Sequence, residues 1–376
     1  MNQPAVIFGG PSPEHDVSVL TGLQAARALA KAGTAVEAIY WSKTADFFSV
    51  GAGSEAADFA GGVPKGGREL KLVAAPGGGF VAARPGVIGR SSLLGKEKPL
   101  EISAAVNCCH GGPGEDGTLQ GALDLAGVPY TGPTLAGAAL GMDKLAFGAS
   151  VAAAGLPSLP RVTVSAERPG PPWPGPYIVK PRFGGSSIGI EVAEDWTTAV
   201  ALSRSSVHLR RGAVAEPYRP SAFDVNVAIR VHPQYQLSPL ERPLRSTAAA
   251  EILNYRDKYV GGEGMVSAPR ELPARIPESL QKALGDAAAT VAEVAMVRGV
   301  ARLDFLVEGD EWFVNEINTI PGSLAKYLWE PAGVPFGQLL ADMLAEATLR
   351  PSCRHDATGS DGTALQSAGT IASKLA

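Results

Sequence analysis

The sequence predicts an α/β protein of more than one domain, and three observations support this prediction. The segment AVIFGG is followed by the periodic stretch VSVLTGLQAARALAKAG and then by TAVEAIYW, which is the order strand, helix, strand. Glycine-rich loops follow apolar strands in HGGPGEDG and in RFGGSSIG. The 376 residues are enough for two or three domains.

Composition limits the classes of partner. The formal net charge is −4, so the chain has no overall positive field that would hold a nucleic-acid backbone or an anionic membrane. We therefore expect small-molecule partners, no nucleic acid and no membrane. The sequence has no basic and apolar leader and no run of about 18 apolar residues, which predicts a cytoplasmic protein.

The first 133 residues are predicted to form one α/β domain. Apolar residues recur at helical spacing through the first helix, and Gly33 is a natural stop after it. Residues 51–98 are rich in Gly, Pro and Lys and are typical of an inserted hairpin, to which we assign no chemistry. A third strand over residues 104–109 leads into HGGPGEDGTLQGALDLAG, a loop and a helix that Gly127 can end.

Two further units and a tail follow. Residues 134–217 are predicted to begin with one alanine-rich helix or a pair of helices, followed by a Pro-rich connection and the strands YIVKP, IEVA and AVAEPY. Residues 218–350 contain the strand FDVNVAIRV, a helix over residues 278–298, and the hairpin VARLDFLVEGDEWFVNEIN with its turn at Gly309 and Asp310. The tail, residues 351–376, has no apolar period and is expected to be disordered.

The hairpin carries four polar residues on one face. Side chains alternate along a strand, so Arg302 and Asp304 share a face, as do Glu316 and Asn318 on the partner strand. Two carboxylates on a buried face need compensating cations, and oxygen ligands of this kind suit Mg²⁺. The alternative is a solvated face of an edge hairpin with a structural salt bridge.

The loop after YIVKP can contact an anion. Lys180 is followed by RFGGSSIG, in which glycines let backbone N–H groups approach a phosphate and two serine hydroxyls are available to bind its oxygens. The loop matches neither GxxxxGK[ST] nor the dinucleotide fingerprint. On its own this pattern also fits an ordinary turn.

Taken together, these motifs resemble the ATP-grasp superfamily and, within it, the D-alanine:D-alanine ligases. The resemblance covers nearly the whole chain to about residue 350, in six blocks that keep the family's order: FGGPSPEHDVS, HGGPGEDGTLQGALDLAGVPYTG, GMDK, IVKPRFGGSSIG, LNYRDKY, and ARLDF followed by NEINTIPG. It implies an N-terminal open parallel sheet of Rossmann-like type, followed by two ATP-grasp domains that hold ATP between them. It also implies two Mg²⁺ ions, for which Mn²⁺ is an acceptable substitute, and a homodimer.

The resemblance also implies residues for the nucleotide. It places Lys144, in GMDK, and Lys180 on the phosphates of ATP, with Ser186 and Ser187 in a loop that closes over them. Each of these residues has an ordinary alternative role as a surface lysine or a turn serine.

Three more residues are implied at the other end of ATP, and three at the metal. Glu216 would face adenine, Lys258 of LNYRDKY would contact ATP, and Asp224 stands where the family usually has a glutamate for the ribose hydroxyls. An aspartate is one methylene shorter than that glutamate. The implied metal ligands agree with the argument from the hairpin face: Asp304, Glu316 and Asn318.

For the first amino acid, the resemblance implies that Glu14 holds its ammonium group and is linked through Ser186 to Tyr259. His110 would lie beside this substrate, although a lone histidine at a strand end is more often structural. Arg302 would contact the oxyanion of the tetrahedral intermediate. The implied reaction is ADP-forming: a carboxylate is converted to an acyl phosphate, which a second amine then attacks.

The sequence departs from the family after NTIPG. The family usually continues with a Thr and then a His-Ser-Leu run, where this chain has SLAKYLWEP. Counted from Gly322, a substrate-binding position, Leu324 replaces the Thr, Lys326 the His and Tyr327 the Ser. Because the Ser and the backbone after it bind the second substrate's carboxylate in the family, we expect an altered acceptor site. Free D-alanine should then be a poor acceptor, and Lys326 is available as a different carboxylate clamp.

Three alternatives stay open at this point. One is a housekeeping D-alanine:D-alanine ligase of peptidoglycan synthesis with a locally divergent loop. Another is an inactive ATP-binding regulatory module, which the cation Arg302 argues against because a binding module has no oxyanion to stabilise. The last is an ATP-grasp enzyme acting on a phosphorylated or nucleotide amine, which Glu14 and HGGPGEDG disfavour because they suit a small amino acid.

Overall fold

A computed structural model describes residues 3–83, 98–244, 269–350 and 357–368 of the chain. Its strands form three main sheets and one two-stranded sheet. Within these ranges, no helix is both long and apolar enough to cross a membrane.

The N-terminal sheet has six strands in the spatial order β5, β4, β3, β2, β1, β6. Its strands are β1 (Gln3–Gly9), β2 (Glu37–Trp41), β3 (Phe47–Val50), β4 (Arg68–Val73), β5 (Gly79–Ala82) and β6 (Ile102–Asn107). Strand β1 pairs in parallel with β2 and β6, as the strand–helix–strand order predicts. The helices of this unit are α1 (His15–Lys31), α2 (Gly112–Glu115) and α3 (Thr118–Ala126).

The other half of this sheet is antiparallel, so the predicted open parallel sheet is in fact mixed. The chain turns back directly after β2, where Ser42 N–H donates to the Asp46 carbonyl at 2.8 Å and the Asp46 N–H donates to Ser42 Oγ at 3.0 Å. A turn this short can join only antiparallel strands. The 51–98 insertion then adds the hairpin β4–β5 to the same sheet.

The second sheet has four antiparallel strands in the order β7, β10, β8, β9. They are β7 (Val162–Thr163), β8 (Tyr177–Pro181), β9 (Glu191–Ala193) and β10 (Ala213–Pro217), and helix α6 (Trp196–Ser205) packs on them. Ahead of this sheet lie two helices, α4 (Leu135–Met142) and α5 (Lys144–Ala153). They separate at Asp143, whose carboxylate accepts from the N–H groups of Leu145 and Ala146 and so caps α5.

The third sheet has the order β12, β11, β15, β16, all antiparallel. Its strands are β11 (Phe223–Arg230), β12 (Gln236–Leu237), β15 (Val300–Glu308) and β16 (Glu311–Asn318). The pair β13 (Arg242–Pro243) and β14 (Arg270–Glu271) lies beside it, and helix α7 (Glu278–Val294) packs on one face. Leu303 and Phe305 point to α7, so the alternation of side chains sends Arg302 and Asp304 to the opposite face.

The last helices return to the N-terminal unit. Helices α8 (Lys326–Trp329) and α9 (Phe336–Leu349) share one hydrophobic core with α1, and Trp329 is fully buried in it. Of the predicted tail, residues 357–368 are described, and they include a short helix α10 (Thr363–Ala368) with no buried residue. The predicted boundaries at residues 133, 217 and 350 stay predictions.

Gly22 allows α1 to approach β1 closely. A Cβ atom added at this glycine would lie 2.3 Å from Cβ of Phe8, a fully buried residue of β1. Neither Cβ atom is the movable tip of a long side chain, so α1 and β1 would have to move apart.

We therefore expect Gly22→Ala to lower the free energy of unfolding by about 1–3 kcal/mol. The matched control is Gly285→Ala in α7, where an added Cβ meets only Leu237 Cδ1 at 3.9 Å. The control should raise stability by about 0.5–1 kcal/mol because alanine favours the helix. Denaturant unfolding of the two variants measures both values, and equal effects would contradict the close approach.

Candidate active site

Four polar side chains lie together on the face of the third sheet opposite α7, as the alternation predicts. In the strand register Arg302 is paired with Asn318 and Asp304 with Glu316. The Arg302 guanidinium donates to both carboxylate oxygens of Asp304 at 2.7 Å, and Asn318 Nδ2 donates to Asp304 Oδ2 at 3.1 Å. A planar cation is thus held rigidly at the end of the sheet.

The second carboxylate, Glu316, is paired with Lys144 from the start of α5. The distance from Lys144 Nζ to Glu316 Oε2 is 3.1 Å, and the same ammonium donates to the Gly184 carbonyl at 2.6 Å. One buried lysine therefore joins the carboxylate face to the glycine and serine loop that follows β8.

Lys180 belongs to a separate buried ion cluster. Its Nζ lies 2.8 Å from Glu216 Oε2 and 3.2 Å from Asn315 Oδ1, and Arg161 Nε lies 2.7 Å from Glu216 Oε1. Burial alone would raise the pKa of Glu216, but Lys180 and Arg161 outweigh it and the pKa is lowered. Because the Glu216 side chain has no exposed surface, its carboxylate serves to place Lys180 and cannot itself contact a ligand in this arrangement.

Glu14 and Ser186 meet, as expected for the first substrate site. Ser186 Oγ donates a hydrogen bond to Glu14 Oε1, which joins the N-terminal unit to the loop after β8. A Cβ atom added at Gly111 would lie 2.3 Å from Glu14 Oε2. Ser186 and Ser187 both have positive φ, at 54° and 58°, so the loop holds a left-handed conformation that is rare outside glycine.

His110 is closed in by protein groups. Its Nδ1 lies 2.7 Å from the Ile320 carbonyl and its Nε2 lies 2.8 Å from Thr21 Oγ1. Burial lowers the pKa of His110 to about 4, so the ring is neutral near pH 7. A neutral ring that donates from Nδ1 and accepts at Nε2 satisfies both contacts. These contacts anchor the chain around residue 320, whereas a contact with substrate stays a prediction.

Glu115 binds the main chain of Ile320 from the other side. Its carboxylate accepts from Ile320 N–H at 2.9 Å, Gly111 N–H at 2.9 Å and Thr319 Oγ1 at 3.1 Å. Both main-chain polar groups of Ile320 are therefore bound by the N-terminal unit. Burial first, and then the charge of Glu14, raises the pKa of Glu115 to about 7 despite these hydrogen bonds.

The divergent loop after Gly322 makes a left-handed turn. Ser323, Leu324 and Ala325 have φ of 50°, 51° and 54° in succession. Leu324 is buried in the shared core, and Ser323 N–H donates to Thr21 Oγ1 at 3.1 Å. The turn leads into α8, which carries Tyr327.

Lys326 and Tyr327 take different directions from this turn. The Lys326 ammonium lies 5.7 Å from the centre of the Phe336 ring. Tyr327 is buried, and its hydroxyl lies 3.3 Å from Glu241 Oε2. The carboxylate clamp that we expected from Lys326 therefore has no support from the position of its ammonium group.

The remaining predicted residues have simpler outcomes. Lys258 and Tyr259 lie outside the described residues, so their roles stay predictions. Asp224 lies on β11, opposite Leu306 of β15. Within the described ranges, no group of three or more His, Cys, Asp or Glu side chains is arranged to hold a metal ion. The predicted ligand set contains only two carboxylates, Asp304 and Glu316, with the amide of Asn318.

Sequence reasoning did not find Arg161, Thr21, Glu115 or Glu241. Glu115 lies in the quoted block HGGPGEDG, and its position there was the one available signal. Arg161 lies in a Pro-rich stretch that also contains Arg168, 55 residues before its partner Glu216. No local sequence pattern predicts an ion pair between residues so far apart in the chain.

Two family models match long stretches of the chain. A model described as the D-ala D-ala ligase N-terminus matches residues 3–133, and one described as the D-ala D-ala ligase C-terminus matches residues 174–345. Together they cover most of the chain.

Individual known proteins also match this chain over most of its length. The chain is 33% identical to a D-alanine–D-alanine ligase of Methylobacterium sp. (strain 4-46), over 94% of this chain and 93% of the relative. It is 30% identical to one from Bradyrhizobium sp. (strain ORS 278), over 92% and 95%. Among solved structures, the D-alanine–D-alanine ligase from Coxiella burnetii has a TM-score of 0.72 at 21% identity, with 93% and 94% covered. The VanG D-Ala:D-Ser ligase from Enterococcus faecalis has 0.69 at 22%, with 92% and 100% covered.

The buried Glu115 should make stability depend on pH. Its pKa of about 7 in the folded protein lies above the ordinary 4.5, so the folded state keeps its proton to higher pH than the unfolded state. The stability from this proton is fully present below pH 4.5 and is lost as the pH rises to about 7.

We expect the free energy of unfolding of the wild type, relative to Glu115→Gln, to fall by about 3 kcal/mol between pH 4.5 and 7.5. The variant keeps a neutral side chain of the same size at every pH, and His110 titrates in both proteins. Denaturant titrations at several pH values measure the difference. A difference that does not change with pH would contradict the raised pKa.

Proposed function

Because the chain belongs to the D-alanine–D-alanine ligase family, we propose that it joins D-alanine to a second amino acid in an ATP-dependent, ADP-forming reaction. It is an ATP-grasp ligase that forms an amide bond. The observation that best supports the proposal is the meeting of Arg302, Asp304, Glu316 and Lys144 on one sheet face. A module that only binds nucleotide would need no such fixed guanidinium.

The first step uses the buried lysines. The carboxylate of the first D-alanine attacks the γ-phosphorus of ATP, ADP leaves, and an acyl phosphate forms. Lys144 is proposed to neutralise charge on the phosphates, since its ammonium already bridges Glu316 and the loop after β8. Lys180 would act beside it, held in place by Glu216.

Oxygen groups suited to Mg²⁺ stand on the same face. Asp304 and Glu316 are cross-strand partners, and Asn318 lies next to Asp304. Asn226 is paired with Asp304 on the other side, and its buried Oδ1 has no hydrogen-bond partner among the described residues. The donor set therefore fits Mg²⁺, and we propose two ions, with Mn²⁺ able to replace them. Bound there, the metal would supply positive charge to the phosphate oxygens.

The amino-acid end of the site is proposed to begin at Glu14. Its carboxylate would hold the ammonium of the first D-alanine, and Ser186 orients it through their hydrogen bond. Attack of the second amine on the carbonyl carbon of the acyl phosphate gives a tetrahedral oxyanion, which collapses to the amide as inorganic phosphate leaves and the nitrogen loses a proton. Arg302 would stabilise this oxyanion, because Asp304 keeps its guanidinium fixed before the charge develops.

The acceptor is proposed to be a second D-alanine, as the names of the relatives indicate. A second candidate, a bulkier amine, is favoured by one observation: Leu324 and Tyr327 are both buried where the family has Thr and Ser, so the two small hydroxyl groups are absent. The homodimer and the cytoplasmic location stay predictions.

The metal assignment predicts that Glu316→Ala lowers Mg²⁺-dependent ADP release at least about a hundredfold. Without this carboxylate the Mg²⁺ would be held less well, and the phosphates would lose its positive charge. The control is Glu311→Ala, which removes an exposed carboxylate from the same strand and should leave the rate unchanged. ADP release at several Mg²⁺ concentrations, with unfolding temperatures of both variants, measures this. Wild-type turnover in Glu316→Ala would remove the assignment.

The substrate assignment predicts that D-alanine, as sole amino acid, supports ADP release and yields D-alanyl-D-alanine in equal amount. ADP is measured by a coupled assay and the product by mass. Added D-amino acids with larger side chains should give no faster release than D-alanine alone. ADP release that appears only with such an added amine would instead support the second candidate, and no release with any of them would contradict the proposed function.

A further inference from the structure

The side chain of Arg161 joins three parts of the chain, and the proposed reaction gives it no role. This side chain is only 3% exposed. The residue lies between the two matched family models, which end at residue 133 and begin at residue 174, and outside the six blocks that resemble the family. The likeness to the family therefore assigns no function to Arg161.

Each nitrogen atom of the Arg161 guanidinium has its own acceptor. Nε donates to Oε1 of Glu216, in β10, at 2.7 Å, and Nη1 donates to the main-chain carbonyl of Lys144, at the start of α5, at 2.6 Å. Nη2 donates to the main-chain carbonyl of Asn315, in β16. A planar fork of three nitrogens can hold acceptors from three segments at fixed angles, which a single ammonium group cannot do.

Asn315 is the extra residue of a β-bulge in β16. Asp304 of β15 is paired with Glu316, and the next residue, Phe305, is paired with Val314, so no residue of β15 stands opposite Asn315. The extra residue of a bulge is left out of the pairing between the strands, and bulges often redirect a side chain toward a site. The bulge therefore leaves Asn315 available for groups outside its own sheet.

Asn315 uses this freedom for two contacts around Lys180. Arg161 Nη2 binds its carbonyl, and Lys180 Nζ donates to its side-chain Oδ1 at 3.2 Å. Lys180 Nζ also donates to Glu216 Oε2 at 2.8 Å, and Arg161 binds the second oxygen of that carboxylate. Arg161 is thus bound to both of these acceptors of the Lys180 ammonium group.

The same guanidinium fixes the main chain of Lys144. Lys144 is the first residue of α5, and its carbonyl accepts from Arg161 Nη1. Its side chain reaches Glu316 Oε2 at 3.1 Å and the Gly184 carbonyl at 2.6 Å. Arg161 therefore sets the point from which this second lysine side chain starts.

Gly148 leaves the space that the guanidinium occupies. This glycine is buried in α5, one turn after Lys144, and a Cβ atom added there would lie 2.6 Å from Arg161 Nη1 and 3.0 Å from Arg161 Cδ. Acceptors on three segments fix the guanidinium, so it could yield only by giving up hydrogen bonds. The helix therefore needs a residue without a side chain where it crosses Arg161.

We propose that Arg161 is a positioning residue for Lys144 and Lys180, which holds both ammonium groups in the places where they meet the phosphates of ATP. The proposal rests on the proposed function, in which these two lysines neutralise charge on the phosphates. Lysine side chains are flexible, and fixing them before the nucleotide arrives lowers the entropy lost on binding.

The first test is Arg161→Lys, which keeps a positive charge beside Glu216 but cannot keep all three acceptors. We expect its affinity for ADP in the presence of Mg²⁺ to fall about tenfold, because the lysines meet the phosphates less well. Its affinity for adenosine, which has no phosphate, should not change. Calorimetric titration measures both. The matched control is Arg298→Lys, a buried arginine that binds the main-chain carbonyls of Tyr130 at 2.7 Å and Gly132 at 3.0 Å, and both of its affinities should stay at wild-type values.

The second test, Gly148→Ala, leaves Arg161 in the chain and displaces it. We expect the affinity for ADP to fall in the same direction although alanine favours the helix, whereas Gly285→Ala should leave it unchanged. Adding Gly148→Ala to Arg161→Lys should cause less loss than the sum of the single changes, because both act through the same contacts. If Arg161→Lys does not fold, Gly148→Ala against Gly285→Ala decides alone.

Turnover gives a further check: kcat/KM for ATP should fall in Arg161→Lys while KM for D-alanine stays unchanged. Wild-type affinity for ADP in both Arg161→Lys and Gly148→Ala, or an equal loss of affinity for adenosine, would overturn the proposal. A wild type that binds ADP but releases none with any amino acid would contradict the proposed function alone, and ADP binding would still decide the role of Arg161. A wild type that does not bind ADP would overturn both.

Discussion

Glu216 has no contact with water, and the free energy of keeping its charge in the interior is offset by Arg161 and Lys180. The same requirement recurs at Asp304 with Arg302, and the buried ammonium of Lys144 is balanced by Glu316, whose side chain is partly exposed. Glu216 is paired with two cations, whereas Asp304 and Glu316 are paired with one each, and the four cations come from different segments of the chain. The site is therefore built from pairs whose members cannot be removed singly without leaving a buried charge.

A second set of contacts joins the two ends of the fold. The main chain of Ile320 is held by Glu115 and His110, and Ser323 is held by Thr21. The shared core around Trp329 lies beneath these contacts. As a result, the loop that carries the divergent residues is attached to the N-terminal unit as well as to its own sheet.

Much of this could be predicted from the sequence, for identifiable reasons. Alternation along two strands was enough to place Arg302, Asp304, Glu316 and Asn318 on one face, because pleating fixes side-chain direction. The antiparallel half of the first sheet was missed because it depends on a short turn after Trp41, whose hydrogen bonds are not a sequence motif. Glu241 was missed because its partners Asn226, Arg270 and Tyr327 come together only in the folded chain. Lys326 was assigned to the acceptor by its position in the sequence, which does not give the direction of a side chain leaving a left-handed turn.

The contacts of Ile320 also bear on how the chain is made. Glu115 is synthesised 205 residues before the N–H group that it binds, and His110 waits 210 residues for its carbonyl partner. While the ribosome is still adding the middle of the protein, the first sheet can form, but it presents a carboxylate and an imidazole to water where the finished enzyme buries them. The N-terminal unit of the nascent chain therefore leaves these two side chains exposed until translation passes residue 320. Chaperones that bind such exposed surfaces would be needed most for this protein late in its synthesis.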